Sequence, residues 1–191
     1  MEKKTFTKKF LYLLLISLSL IATIFIITKI YKKSLVSHKT PTSPPLNNQA
    51  SYQKIVPGVS SKSDVISLLG TPLLEEENTI EYKSSSPNFN HQITLDQEKV
   101  SFVKEVVTLK EKDTKKAQSI IKVYGVPKKM LFGPDAAAGF YLFVYPENGI
   151  AYVGHPESGM LLEIWYFPPT NMEGFVDKYA QSYSETRQII Q

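Results

Sequence analysis

The sequence predicts an α+β protein. An N-terminal transmembrane helix leads into two related units, each a short helix packed on a three-stranded antiparallel sheet, and a C-terminal helix closes the chain. Three observations carry this expectation. Residues 10–28 run for 19 positions without a charge. An eight-residue pattern at Val65–Pro72 recurs 55 positions later at Ile120–Pro127. After each copy come apolar or alternating stretches separated by clusters of turn-forming residues.

The uncharged run FLYLLLISLSLIATIFIIT covers roughly 28 Å as a helix, about one hydrocarbon core. A cleavable signal peptide would have an apolar region of about 7–15 residues followed by a small-x-small site. Ala22 has Leu20 two positions before it and Ser37 has Leu35, so neither fits. Lys3, Lys4, Lys8 and Lys9 precede the run and Lys29, Lys32, Lys33 and Lys39 follow it, so counting positive charges nearly ties. A short head before a long domain favours a cytoplasmic amino terminus. The expectation is a single-pass membrane protein, with head and anchor at 1–33 and the domain outside the cytoplasm. Residues 34–53, rich in Ser, Thr, Pro, Asn and Gln, are expected to form a disordered tether with a reach of roughly 25 Å.

The first unit is expected at 54–110. Val65, Ile66, Leu68 and Leu69 mark one helical face, Ser61 with Asp64 three positions on reads as a capping box, and Gly70 with Pro72 stops the helix. Strands are expected near 78–84, 91–96 and 99–109. The second unit, 111–191, repeats the pattern with Ile120, Ile121, Val123 and Tyr124, then Gly125 and Pro127, and Asp113-Thr114 as the cap. Its strands are expected at 140–145, 150–153 and 160–167, joined by Pro146-Glu147-Asn148-Gly149 and His155-Pro156-Glu157-Ser158-Gly159 as hairpin turns. A sheet this small buries its apolar face only when its helix lies across it. From Asn171 to Arg187, Met172, Phe175, Val176, Tyr179 and Tyr183 follow helical spacing, with Asn171 as N-cap after Pro168-Pro169.

Pro57-Gly58-Val59-Ser60-Ser61-Lys62-Ser63-Asp64-Val65, continuing to Leu69-Gly70-Thr71-Pro72 and Tyr82, resembles the SmpA/OmlA family, the BamE-type outer-membrane-assembly lipoproteins, over about residues 55–105. One extra residue lies between Gly58 and the capping Ser61, and the chain lacks the family's lipid-bearing cysteine. The tandem arrangement is similar to the β-lactamase inhibitory protein fold. The resemblance implies an envelope-side scaffold that binds proteins, and it carries over no catalytic residue.

Charge and composition exclude several classes of function. The first 50 residues hold eight Lys and one acid, which leaves 14 Lys and Arg against 17 Asp and Glu on the remaining 141. The basic excess therefore flanks the apolar run, and no nucleic-acid partner is expected. Without Cys there is no disulfide, thiolate metal site or thiol nucleophile. His38, His91 and His155 have no metal-ligand spacing, and no cofactor is expected. Ser158-Gly159 lacks the Gly-x-Ser-x-Gly context of a nucleophile, Glu75-Glu76-Glu77 reads as a solvated run, and the Gly133–Gly139 loop has no phosphate-binding pattern. Aromatic crowding stands out in the second half. Two-sided burial explains it most simply, and the alternative is an exposed binding patch of Tyr141, Tyr145, Trp165 and Phe167.

The sequence thus predicts a membrane-anchored, non-catalytic protein-interaction module of the cell envelope, held by residues 10–28 and binding an envelope protein. An envelope hydrolase or glycan-binding protein, and a cytoplasmic membrane-tethered adaptor, are the alternatives.

Overall fold

A computed structural model describes residues 48–187. Helix α1 (Lys62–Leu69) is followed by strands β1 (Leu74–Glu75), β2 (Thr79–Tyr82), β3 (His91–Asp96) and β4 (Lys99–Val106). Helix α2 (Ala117–Tyr124) is followed by β5 (Lys129–Leu131), β6 (Tyr141–Tyr145), β7 (Ile150–Gly154) and β8 (Leu161–Tyr166), and α3 (Met172–Tyr179) comes last. All eight strands form one antiparallel sheet in the order β1-β2-β3-β4-β8-β7-β6-β5.

The fold class is corrected accordingly. Helices α1 and α2 are each followed by four strands, and the two sets are joined edge to edge through β4 and β8, with Val103 opposite Tyr166 and Val106 opposite Glu163. Separate three-stranded sheets would leave the backbone of β4 and β8 unpaired along one side, and joining them satisfies both edges. The short β1 and β5 then become the two outer edges, where Glu75 and Lys129 are exposed. The sequence does not reveal these strands because two or three residues show no period. The membrane-protein expectation is corrected as well: among the described residues no helix is long and apolar enough to cross a membrane. The run at 10–28 and residues 34–47 of the expected tether lie outside the described residues. The end of that tether carries Ala50 and Tyr52, both buried.

Helices α1 and α2 lie on the same face of the sheet, here called the helix face. Val65 and Leu69 pack there from α1, and Ala117, Ile120 and Tyr124 from α2, against Ile80, Tyr82, Ile93, Val103, Tyr145, Tyr152, Ile164 and Tyr166. The Asp64 amide donates to Ser61 Oγ (3.2 Å) and the Ser61 amide to Asp64 Oδ2 (2.7 Å), closing a capping box. Helix α2 does not use Asp113 or Thr114 as its cap. Lys116 occupies that position without a side-chain bond, and the Ala117 amide donates instead to the Gly159 carbonyl at 3.1 Å. Both helices end on a glycine of nearly the same geometry, Gly70 at φ 81°, ψ −158° and Gly125 at φ 79°, ψ −155°. That region is open almost only to glycine, a stricter demand than an ordinary left-handed helix stop makes.

Among the described residues the opposite, outer face is covered mainly over the second half. There Leu131, Leu142, Val144, Ala151, Val153, Trp165 and Phe167 pack against Phe175 and Ala180, with Met172, Val176, Tyr179 and Tyr183 alongside. Asn171 caps α3 by accepting from the Gly174 amide at 2.8 Å. The helix stops at Ala180, short of the expected Arg187, and the chain turns so that Ser184 pairs with Phe132.

Candidate functional site

The seam between β4 and β8 ends in a loop cluster that shapes the site. Past Val106 the ladder continues for one more bond, from the Val107 amide to the Leu162 carbonyl at 2.8 Å, and the chain then turns through a 3-10 segment, Leu109–Glu111. That turn is fixed by a second capping box. The Thr108 amide (3.1 Å) and hydroxyl (3.0 Å) both donate to Glu111 Oε2. Ser85, from the β2–β3 loop, adds its own hydroxyl to the same carboxylate at 3.2 Å and so clips that loop to the connector. Within the loop, Ser84 Oγ donates to the Phe89 carbonyl and accepts from the Ser86 amide, which holds the turn closed and leaves Phe89 projecting.

Between these parts, on the outer face, lies a pocket of about 520 Å³. Its apolar wall is Pro87, Phe89, Val106, Val107, Leu109 and Leu162, and its charged groups are Lys110, Asp135 and Glu163. Phe89 is 65% exposed and Leu109 is 72% exposed, so two large apolar side chains stand at the rim largely uncovered by the described residues. Volume and lining fall in the range of pockets that take small apolar groups under a few polar ones. Glu163 Oε2 accepts from Trp165 Nε1 at 2.7 Å, which fixes that carboxylate at the wall.

On the helix face beneath the same connector sits a polar cluster. Glu105 is buried and accepts from Tyr166 Oη (2.7 Å) and Lys115 Nζ (2.5 Å). Lys115 also pairs with Glu111 at 2.6 Å. Burial alone would lower the Lys115 pKa, but its bonds to Glu105 and Glu111 outweigh this and raise it above the ordinary value. Burial likewise pushes the Glu111 carboxyl up, yet the bonds from Lys115 and Thr108 prevail and bring it down to about 2. Tyr166 is raised far above a normal phenol, first by burial and then by the Glu105 charge, and Tyr52 is raised to about 12 for the same two reasons. His91 is half-buried 5.8 Å from the Tyr52 ring, and its Nδ1 accepts from the Val106 amide at 3.1 Å. Burial lowers its pKa.

Every buried side-chain polar atom among the described residues has a partner. No group of three or more His, Asp or Glu among them is placed to hold a metal ion. The Glu105 cluster is therefore a closed set of bonds in which acceptors and donors are already matched.

The four aromatic residues singled out from the sequence do not share a surface. Tyr145 is buried on the helix face, where its hydroxyl donates to the Gly125 carbonyl at 3.0 Å. Trp165 and Phe167 are buried on the outer face under α3, Phe167 with its ring 4.7 Å from Phe175. Tyr141 is half-buried, edge-on to Phe132. Of the residues that do reach solvent at the pocket, Phe89 belongs to no periodic stretch, and Leu109 was counted into the strand expected at 99–109, which ends at Val106. A usable signal was present nonetheless: Phe89 is a lone aromatic within the turn-rich run Ser84-Ser85-Ser86-Pro87-Asn88-Phe89-Asn90, where packing needs no ring.

No protein-family model matches the chain, and no curated protein matches it. A solved structure of a DUF4309 family protein (YjgB) from Bacillus subtilis aligns with 64% of this chain and 89% of its own length, at 12% identity and a TM-score of 0.45.

Proposed function

We propose that the chain is a non-catalytic protein-interaction module whose binding site is the seam pocket. The observation that carries this reading is the pocket itself, an apolar recess rimmed by the uncovered side chains of Phe89 and Leu109. Uncovered apolar side chains gathered around a recess mark binding surfaces more often than scattered ones do. The neighbouring charges support the same reading, because Glu105, Glu111 and Lys115 are spent on one another and on the connector. A general acid or base needs a free, poised group within reach of substrate.

The test places a photoreactive benzoylphenylalanine at Leu109 in the full chain, with a control at Val126, which is 86% exposed at the end of α2. Irradiation in the protein's native cells should give a discrete polypeptide adduct from position 109 that disappears when Phe89→Asp is added. Equal adducts from both positions, or none from either, would sink the proposal.

A further inference from the structure

The repetition within the sheet indicates what the pocket receives. The β2–β3 pair Ile80 and Ile93 corresponds to the β6–β7 pair Phe143 and Tyr152. The partners of Ile93 and Tyr152 on the central strands are Val103 and Ile164. This sets a step of 61 between β4 and β8 and carries Lys104 onto Trp165. Those two residues also face each other across the seam, so the approximate two-fold axis passes between them. It relates the two ends of the seam on the outer face, with Phe102 corresponding to Glu163 and Phe167 to Val106.

One end is already occupied. The Tyr179 ring stacks on Phe102 at 5.3 Å and lies 5.2 Å from Phe167, and Tyr179 Oη donates to the Ser101 carbonyl at 3.3 Å. Phe175, one turn earlier on α3, lies 4.7 Å from Phe167. The other end, at Val106 and Glu163, is the pocket. The chain cannot fill it with a helix of its own after β4, because the connector passes to the helix face and becomes α2.

The charge differs between the two ends. Glu163 stands where the first end has Phe102, and with Asp135 it gives the pocket two carboxylates against one cation, Lys110, among the described residues. A complementary ligand therefore brings positive charge next to its apolar group. We infer that the pocket takes an amphipathic helical segment of another protein, with aromatic side chains one turn apart at its base and a Lys or Arg beside them, docked as α3 docks at the other end. This rests on the protein-binding reading above and adds the chemistry of the partner.

The experiment selects a phage-displayed random peptide library, about 16 residues long, on the full 191-residue chain. The expected winners carry two aromatic residues three or four positions apart and a neighbouring Lys or Arg, and they gain helical circular dichroism on binding. Their affinity should fall about tenfold or more with Leu109→Asp and about threefold with Glu163→Gln, as expected for a rim anchor and a partly solvated ion pair. Winners that are extended or lack aromatics, yet still lose affinity with Leu109→Asp, would overturn the helical partner and leave the protein-binding site standing. Winners indifferent to both Leu109→Asp and a pocket-filling Val106→Trp would overturn both. Displacement of the winners by a synthetic peptide of residues 170–184, with dimers of the chain in solution, would make the occupant a second copy and overturn the inference.

Discussion

The two halves of the sheet are nearly alike on the helix face and unlike on the outer one. On the helix face, Val65 and Leu69 of α1 match Ile120 and Tyr124 of α2, and Tyr82 donates to the Gly70 carbonyl at 3.0 Å as Tyr145 does to Gly125 at the same distance. On the outer face the first half presents cross-strand pairs of polar residues, Thr79 opposite Thr94 and Glu81 opposite Gln92, with Asn90 and Gln92 both donating to Glu81. The second half presents Leu131, Leu142 and Val153 instead, under α3. The outer face thus follows what the chain does after its last central strand. Where a helix follows, the face is apolar; where the connector crosses to the other side, β2 and β3 present polar pairs.

The largest expected effect breaks this asymmetry at its anchor. Phe175→Ala removes a fully buried ring from beneath α3 and should cost about 3–5 kcal/mol. Thr94→Ala on the first half's outer face should stay within about 0.5 kcal/mol. Urea denaturation of the full chain measures both, and comparable losses at the two sites would mean that the first half's outer face is also covered. Smaller effects should come in matched pairs. Gly70→Ala and Gly125→Ala meet no neighbouring atom within 4 Å, so each should cost only the backbone strain, about 1–3 kcal/mol. The two midpoints should shift by similar amounts, and a shift at one site alone would contradict the repetition. Tyr82→Phe and Tyr145→Phe each delete one hydrogen bond to those glycine carbonyls, worth about 1 kcal/mol. Unequal losses there would show that one helix end is held by something besides its tyrosine.

Much of the helix face was legible in the sequence. The recurrence of Val65–Pro72 at Ile120–Pro127 marks two helices of the same length ending on glycines of the same geometry, because a helix stop is local chemistry that eight residues can encode. The joining of β4 to β8 was not legible. It is a long-range pairing, and Lys99–Val106 carries the same alternation whether its free edge meets solvent or a partner strand. The aromatic residues at 140–167 pointed to strands buried on both faces, with an exposed patch as the alternative, but not to which residue falls on which side. Tyr145 and Trp165 lie on opposite faces as a result. Beyond the lone Phe89 the pocket was not legible, since Pro87, Leu109, Asp135 and Glu163 meet only through the fold.

The smallest effect tests a place where the helix faces of the two halves differ in an ionisable ring. His91 pairs with Tyr82 as Ile150 pairs with Tyr145, so an ionisable ring occupies the first half at a position that is aliphatic in the second. Burial lowers the His91 pKa from its ordinary 6.5, with Glu105 and Glu111 pulling upward and Lys115 downward. The unfolded chain then binds the proton more readily than the folded one. Stability from this residue is complete above about pH 6.5 and declines as the pH falls below it. Glu111, held at about 2 against an ordinary 4.5, contributes a separate loss below about pH 4.5. His91→Ile makes the two halves alike at this position and removes the proton acceptor, so the denaturation midpoint should become flat between pH 6.5 and 5 while the loss below pH 4.5 persists. If the variant keeps the same slope between pH 6.5 and 5, the upper transition belongs to another group, and the difference between the halves at His91 and Ile150 concerns packing alone.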